Sequence, residues 1–206
     1  MHITFEDVLH EILDNLKKEK SPESLQASRF YRFSPLNRLE EHEIILLDVE
    51  AAFSHSGETT DRIDLVFYHT IERRLMFIEV KRLSDSRLYP KNGVQKQGLP
   101  AEVIAQLTRY KKRLDLESRQ IREQYNNAIN YYNTLSGKCL SPIDPDSPPL
   151  LGLLLVEFTC SAKDRSNKKY VQAQITDNGF KMYAIGNTAN TTQDDRTIAA
   201  IYKSLK

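Results

Sequence analysis

The sequence predicts a single α/β domain: a helix, a three-strand meander, a long helix and a buried strand, followed by a C-terminal hairpin. Three observations carry this. Apolar residues recur at helical spacing near the N-terminus and again after residue 100. Three strand-like segments lie between them, from 44 to 80. The run LLGLLLV (150–156) is too short to span a bilayer and fits a strand buried on both faces. Helical and strand patterns in this order argue for one α/β domain spanning 1–206.

In order along the chain, residues 4–17 read as an amphipathic helix, with Phe5, Val8, Leu9, Ile12, Leu13 and Leu16 on one stripe and Thr4 and Asp7 resembling a capping box. Residues 21–43 are irregular or short-helical, punctuated by Pro22 and Pro35. IILLDVEAAF (44–53), RIDLVFY (62–68) and RLMFIEV (74–80) then form the meander. After a polar loop, Val103, Leu107, Tyr110, Leu114, Ile121, Tyr125, Ala128, Tyr132 and Leu135 keep a spacing of three to four. A helix of roughly 35 residues would be about 50 Å long at 1.5 Å per residue, with a break near Asp115 as the alternative and Gly137 as its stop. Tyr125, Tyr131 and Tyr132 are expected to pack into the core, with a dimer contact as the alternative. SPIDPDSPP (141–149) is a stiff linker. YVQAQITDNGFKMYAI (170–185) reads as a hairpin turning at Asp177–Gly179, and a short helical tail follows TTQDD.

Composition excludes several classes. With 40% hydrophobic and 28% charged residues, the 206-residue chain has the profile of a soluble globular protein. The first twenty residues mix acids throughout and lack the apolar core of a signal peptide, so no membrane association is expected. Cys139 and Cys160 are far apart and form no metal-binding pair, which points to a reducing, cytoplasmic setting. The five histidines form no HxH or HExxH pattern, and no GxGxxG, GxxxxGK or GxSxG occurs, so nucleotide and serine hydrolysis lack support. The net charge of +1 hides an asymmetry. Residues 1–62 hold 7 basic against 13 acidic side chains, whereas 73–113 hold 11 basic against 3 acidic. A basic segment in a near-neutral chain is what a phosphate-contacting face needs.

The meander makes a geometric prediction. A turn centred between Ile71 and Glu72 puts Asp64 opposite Glu79, with Cβ atoms about 5 Å apart. Lys81 lies two residues further on and shares that face. Two adjacent carboxylates repel unless a cation lies between them, and a hard divalent ion takes such oxygen ligands. A lysine beside that ion can orient or help deprotonate an attacking water. The turn lacks Gly, Asn or Asp, which makes a register slip the weak point of the prediction.

RIDLVF…MFIEVK is a D-x(14)-E-x-K pattern, and it resembles the PD-(D/E)XK nuclease superfamily, whose αβββαβ core places the motif on its second and third strands. Ile63 stands where that family's proline would be. On the next predicted helix, Gln106 and Tyr110 are four apart on one face, similar to the QxxxY motif of RecB-type members. The four-cysteine iron–sulfur cluster of some such members is excluded, because the chain has two cysteines. The resemblance covers about 4–156 and leaves 165–206, the hairpin and tail, outside it.

The resemblance implies a restriction-endonuclease-like fold, a mixed central sheet flanked by helices. It implies a nuclease that hydrolyses phosphodiesters with Mg²⁺ or Mn²⁺, on DNA rather than RNA, in phage defence or repair. Asp64, Glu79 and the Val80 carbonyl would hold the metal, Lys81 would position water, and Gln106 and Tyr110 would buttress the site. Glu6, at the edge of the first helix's apolar stripe, is the expected third acidic group; Glu50, which a loop centred on Gly57 places opposite Asp64, competes with it. Arg82, Arg87, Arg109 and Arg113 are expected to contact nucleic acid. A catalytically inactive module that binds nucleic acid or protein on the same fold is the alternative, and a homodimer or partner protein stays open.

Overall fold

The computed structural model describes residues 27, 29–36, 42–53, 61–90, 101–186 and 194–206. The expected helix at 4–17, with Glu6, lies outside the described residues. Those described form an α/β fold around one mixed five-strand sheet, ordered β1 (Ile44–Phe53), β2 (Asp61–His69), β3 (Arg74–Arg82), β4 (Leu150–Val156) and β5 (Lys181–Gly186). The first three strands pair antiparallel, and β4 and β5 add in parallel. Parallel neighbours need a long crossover, usually helical. Between β3 and β4 it is made by α1 (Glu102–Leu116) and α2 (Ser118–Ser136), and between β4 and β5 by α3 (Ala162–Asp177). The chain's last described element is α4 (Asp195–Leu205).

Side-chain alternation splits the core between the two faces of the sheet. Phe77, Leu153 and Leu155 pack with Leu107, Tyr110, Ile121, Tyr125 and Val171, so α1, α2 and α3 cover one face. Phe67, Met76, Ile78 and Leu154 pack with Phe30, Phe33, Ile198, Ile201 and Leu205, so α4 and the short turn Tyr31–Phe33 cover the other. Gly152 is where α4 comes closest: a Cβ there would stand 2.3 Å from Leu205 Cδ2. α2 is tied to β1 by Tyr132 OH, which donates to the Leu47 carbonyl at 3.1 Å, and by Tyr125 OH, which donates to Asp48 at 3.2 Å.

The meander has the expected register. Leu65 to His69 pair with Ile78 to Arg74, the register that sets Asp64 level with Glu79, although the pairing itself stops at Leu65 and Ile78. Arg73 supplies what the turn lacks in glycine by taking φ 52°, and Asp144 pins it from both ends: the Asp144 N–H donates to the Arg73 carbonyl at 2.8 Å, and its carboxylate meets the guanidinium at 3.0 Å. The long helix is two helices, broken at Glu117, beside the alternative break at Asp115. Asp115 and Ser118 flank the break and are poor interior helix residues because their side chains compete for the backbone. Gly137, at φ 71°, ends α2 as expected.

The C-terminal hairpin is corrected. Residues 171–176 alternate apolar and polar and so imitate a strand, yet they lie within α3. The Ser161 hydroxyl caps its start by accepting the Asp164 N–H, and Val171 and Ile175 sit four apart as its buried stripe. The glycine expected to turn a hairpin instead closes the helix. Gly179, at φ 77°, donates its N–H to Thr176 and Phe180 donates to Ile175, the paired bonds of a Schellman motif. Residues 181–186 thus join the central sheet beside β4. Tyr131 is corrected too: Tyr125 is buried, but Tyr131 is 62% exposed.

No helix among the described residues is long and apolar enough to cross a membrane.

Candidate functional site

β3 is the pivot of the sheet, antiparallel to β2 on one side and parallel to β4 on the other. Its pairing with β4 continues through Arg82, while its paired residues on the β2 side end at Ile78, opposite Leu65. Just past that point the Asp64 carboxylate takes the place of a main-chain carbonyl: its Oδ2 accepts the Val80 N–H at 2.6 Å. Asp64 is therefore fixed at the fork where β2 leaves β3. Glu79 and Lys81, on β3, turn toward α1.

The side chains named from the sequence converge here. The Lys81 ammonium donates to Glu79 Oε1 in a direct ion pair and to the Val80 carbonyl at 3.2 Å. The Gln106 amide spends both protons in the site, one on Glu79 Oε1 at 2.8 Å and one on the Tyr110 hydroxyl at 2.6 Å. Tyr110 OH in turn donates to the Arg62 carbonyl, two residues before Asp64. Gln106 and Tyr110 thus bind β3 and β2 together behind the acidic pair, on the four-residue spacing of α1.

Burial sets the electrostatics. Glu79 is 2% exposed and Lys81 1%, so the pair is enclosed, and only the half-buried Asp64 opens to solvent. Loss of hydration, and then the neighbouring Glu79 charge, push the Asp64 carboxyl up to about 7 against the opposing pull of Lys81. Burial also raises Glu79, while Lys81 and the hydrogen bonds to its carboxylate lower it. Glu79 Oε2 is buried and has no hydrogen-bond partner among the described residues. A buried carboxylate oxygen left in that state calls for a cation or a proton.

That oxygen is also the test of a metal. Two carboxylates of raised pKa, one with an orphaned oxygen, and the Val80 carbonyl between them make an all-oxygen donor set that suits Mg²⁺ or Mn²⁺. Among the described residues no group of three or more His, Cys, Asp and Glu side chains could hold a metal. Asp64, Glu79 and the Val80 carbonyl are the described oxygen groups that could hold such an ion, with further positions left to water or phosphate. Of the two candidates for a third acid, Glu50 lies between Val49 and Ala51, which pair with Leu65 and Ile63, so it stands opposite Asp64 as expected. Its charge helps raise the Asp64 carboxyl, and it faces Arg62 at 3.6 Å. Its φ of 53° marks a backbone irregularity beside the fork.

The four arginines are less concentrated. Arg82 is ion-paired with Glu157, Arg87 grips Asp85 through Nη2 at 2.6 Å, and Arg113 donates to the Phe53 carbonyl at 2.5 Å. Arg109 lies on the exposed side of α1. Arg82, Arg87 and Arg113 therefore brace the loops and strands around the site. The sequence pattern also gave no warning of the Arg62 carbonyl as the anchor for Tyr110, since a main-chain acceptor leaves no residue signature. Two clefts elsewhere, about 300 Å³ between Leu114, Ile121 and Pro148 and about 690 Å³ beside His69 and Tyr202, contain none of these residues. Compared with models of known protein families and with curated proteins, the chain matches none.

Proposed function

We propose that the protein is a metal-dependent phosphodiesterase of nucleic acid, DNA in preference to RNA, on a restriction-endonuclease-like fold. The observation that carries this reading is the meeting of Asp64, Glu79 and Lys81 at the fork of β2 and β3, with the buried Glu79 Oε2 lacking a partner. The resemblance to PD-(D/E)XK nucleases supports it and suggests a role in phage defence or repair, by analogy alone.

Asp64, Glu79 and the Val80 carbonyl would hold Mg²⁺ or Mn²⁺. When bound, the ion supplies a lowered pKa for water and neutralises charge on the scissile phosphate. The chain's own groups do the rest. Gln106 and Tyr110 hold Glu79 and β2 in place, so the two carboxylates need not reorganise during the reaction. Lys81, within reach of Glu79 and the Val80 carbonyl, orients the attacking water and stabilises the charge that develops on the phosphoryl oxygens.

A second reading, a binding module without catalysis, is favoured by the closed, buried Glu79–Lys81 pair. The test is incubation of the pure protein with plasmid, linear and single-stranded DNA and with RNA, in Mg²⁺, Mn²⁺ or EDTA. Cleavage by the wild type that requires a divalent ion and disappears in Lys81→Ala and Asp64→Asn is expected. Cleavage that persists in EDTA or in either variant sinks the hydrolase reading, and binding without cleavage by the wild type favours the second.

A further inference from the structure

We propose that the outer face of α3, with Tyr170 on it and Tyr89 stacked against it, is a platform for a single-stranded stretch of nucleic acid beside the candidate site. The proposal rests on the hydrolase reading for the class of polymer and deepens it by naming the form in which that polymer is held.

α3 is anchored lightly. Val171 and Ile175 are its buried residues, and most of its remaining surface faces solvent. Its first nine residues carry Lys163, Arg165, Lys168 and Lys169 against the single acid Asp164. Asp164 is committed elsewhere: its carboxylate accepts the Thr159 N–H at 2.7 Å and the Thr159 hydroxyl at 2.6 Å. Lys168 lies over the Phe158 ring at 5.3 Å. Lys163, Arg165 and Lys169 are exposed, so the helix turns cations to solvent where a phosphate could meet them.

Tyr170 adds the second kind of contact. It is 37% exposed, and Lys163, seven residues earlier, shares its side of the helix. Its ring is nearly parallel to that of Tyr89, with 13° between planes and 6.1 Å between centroids. Tyr89 is itself fixed, because its hydroxyl donates to the Leu83 carbonyl at 2.7 Å. Leu83 is two residues beyond Lys81, about 7 Å along an extended chain. The aromatic pair is therefore preorganised and tethered next to the candidate catalytic strand. Together, α3 and Tyr89 stand at the C-terminal ends of β3 and β4, the end of a parallel sheet where ligands bind.

These features select an unpaired strand. Any base offers a π-face to an aromatic ring, but in a duplex both faces are covered by stacked neighbours. A base can lie on Tyr170 only when its strand is single or locally opened, and the flanking phosphates then have Lys163, on the same side of α3, and the exposed Lys169 beside it to meet.

The test is fluorescence anisotropy with the full chain in EDTA, using short labelled oligothymidylate, oligouridylate and a hairpin duplex. Tyr170→Leu is expected to weaken binding of a single strand about tenfold, the lower range of one base stack, with duplex affinity unchanged. Tyr170→Phe, which keeps the ring, should stay within about twofold. Lys163→Ala and Lys169→Ala should each flatten the log–log salt dependence by about 0.7. The two single-stranded arms tell DNA from RNA. Equal affinity of wild type and Tyr170→Leu, equal loss on single strand and duplex, or no binding at all overturns the platform. Because no cleavage is measured, a protein that never cuts but shows the Tyr170 dependence keeps the platform and loses the hydrolase reading. One that cuts with no effect of Tyr170→Leu keeps the hydrolase reading and loses the platform.

Discussion

Asp64→Asn should stabilise the metal-free protein at neutral and alkaline pH. Asp64 is held near two acidic neighbours in a largely desolvated position, and its carboxyl is raised from 3.8 to about 7. The folded state therefore keeps a proton that the unfolded chain has released. Stability tied to this group is fully present below the unfolded value near 4, declines as pH rises, and is lost once pH passes about 7. A shift of about three units at 1.36 kcal/mol each sets an upper bound of about 4 kcal/mol. Asp64 is half-buried by surface area, so solvent screens part of that, and about 2 kcal/mol is the expected gain. Asparagine keeps an oxygen to accept the Val80 N–H, so the substitution removes the charge and preserves the bond at the fork. Urea denaturation of both proteins in EDTA from pH 4 to 9 is the assay. Wild type should lose stability relative to the variant between about pH 4 and 7 and run parallel to it above. Mg²⁺ should restore the wild type and leave the variant unchanged. A variant less stable than wild type at pH 8 in EDTA would refute the electrostatic account.

Three further outcomes follow from contacts already described. Lys81→Met leaves the buried Glu79 without its ion-pair partner and should cost about 3–5 kcal/mol in urea denaturation, most of it recovered by adding Glu79→Gln; additive losses would show that the pair is not coupled. Tyr110→Phe removes the donor to the Arg62 carbonyl and the acceptor for Gln106, with an expected loss of about 1–2 kcal/mol and slower cleavage at unchanged metal affinity. Gly152→Ala drives a methyl group to 2.3 Å from the Leu205 side chain and should lower stability by about 1–3 kcal/mol. An unchanged melting temperature there would mean that the Leu205 side chain swings aside at no cost.

Legibility in the sequence tracked how local each signal was. The three strands of the meander and the Asp64–Glu79 register follow from residues within forty positions, because a period-two pattern and one turn centre determine which side chains meet. Gln106 and Tyr110 needed only the helical repeat to share a face. The pattern misled at 170–179, where QAQIT alternates like a strand while its Ala and Gln residues favour helix and a serine cap precedes it. There the same Asp-Asn-Gly serves a hairpin or a Schellman ending equally well, and the fit of Val171 and Ile175 against the sheet decided between them. Tyr131 was misassigned because three tyrosines within eight positions share a stripe only approximately, and its turn of α2 points away from the sheet. The commitments of Arg82 to Glu157 and Arg87 to Asp85 were out of reach of charge counting, which sees sign and misses partners.

The fork explains why the pair is acidic and costly together. A regular antiparallel sheet would satisfy the Val80 N–H with a carbonyl from β2, a neutral acceptor with no titration. Here β2 stays paired with β1 through Phe53 and parts from β3, and a side chain must supply the missing acceptor. An alcohol or amide could do so without charge. A carboxylate placed there, next to the enclosed Glu79, is stable only with a proton or a cation. β3 cannot relax away from the conflict, because its other edge stays paired with β4 to Arg82 and α1 clamps Glu79 through Gln106. The sheet thus holds two carboxylates in mutual opposition on rigid elements, an opposition that a proton or a bound cation would relieve.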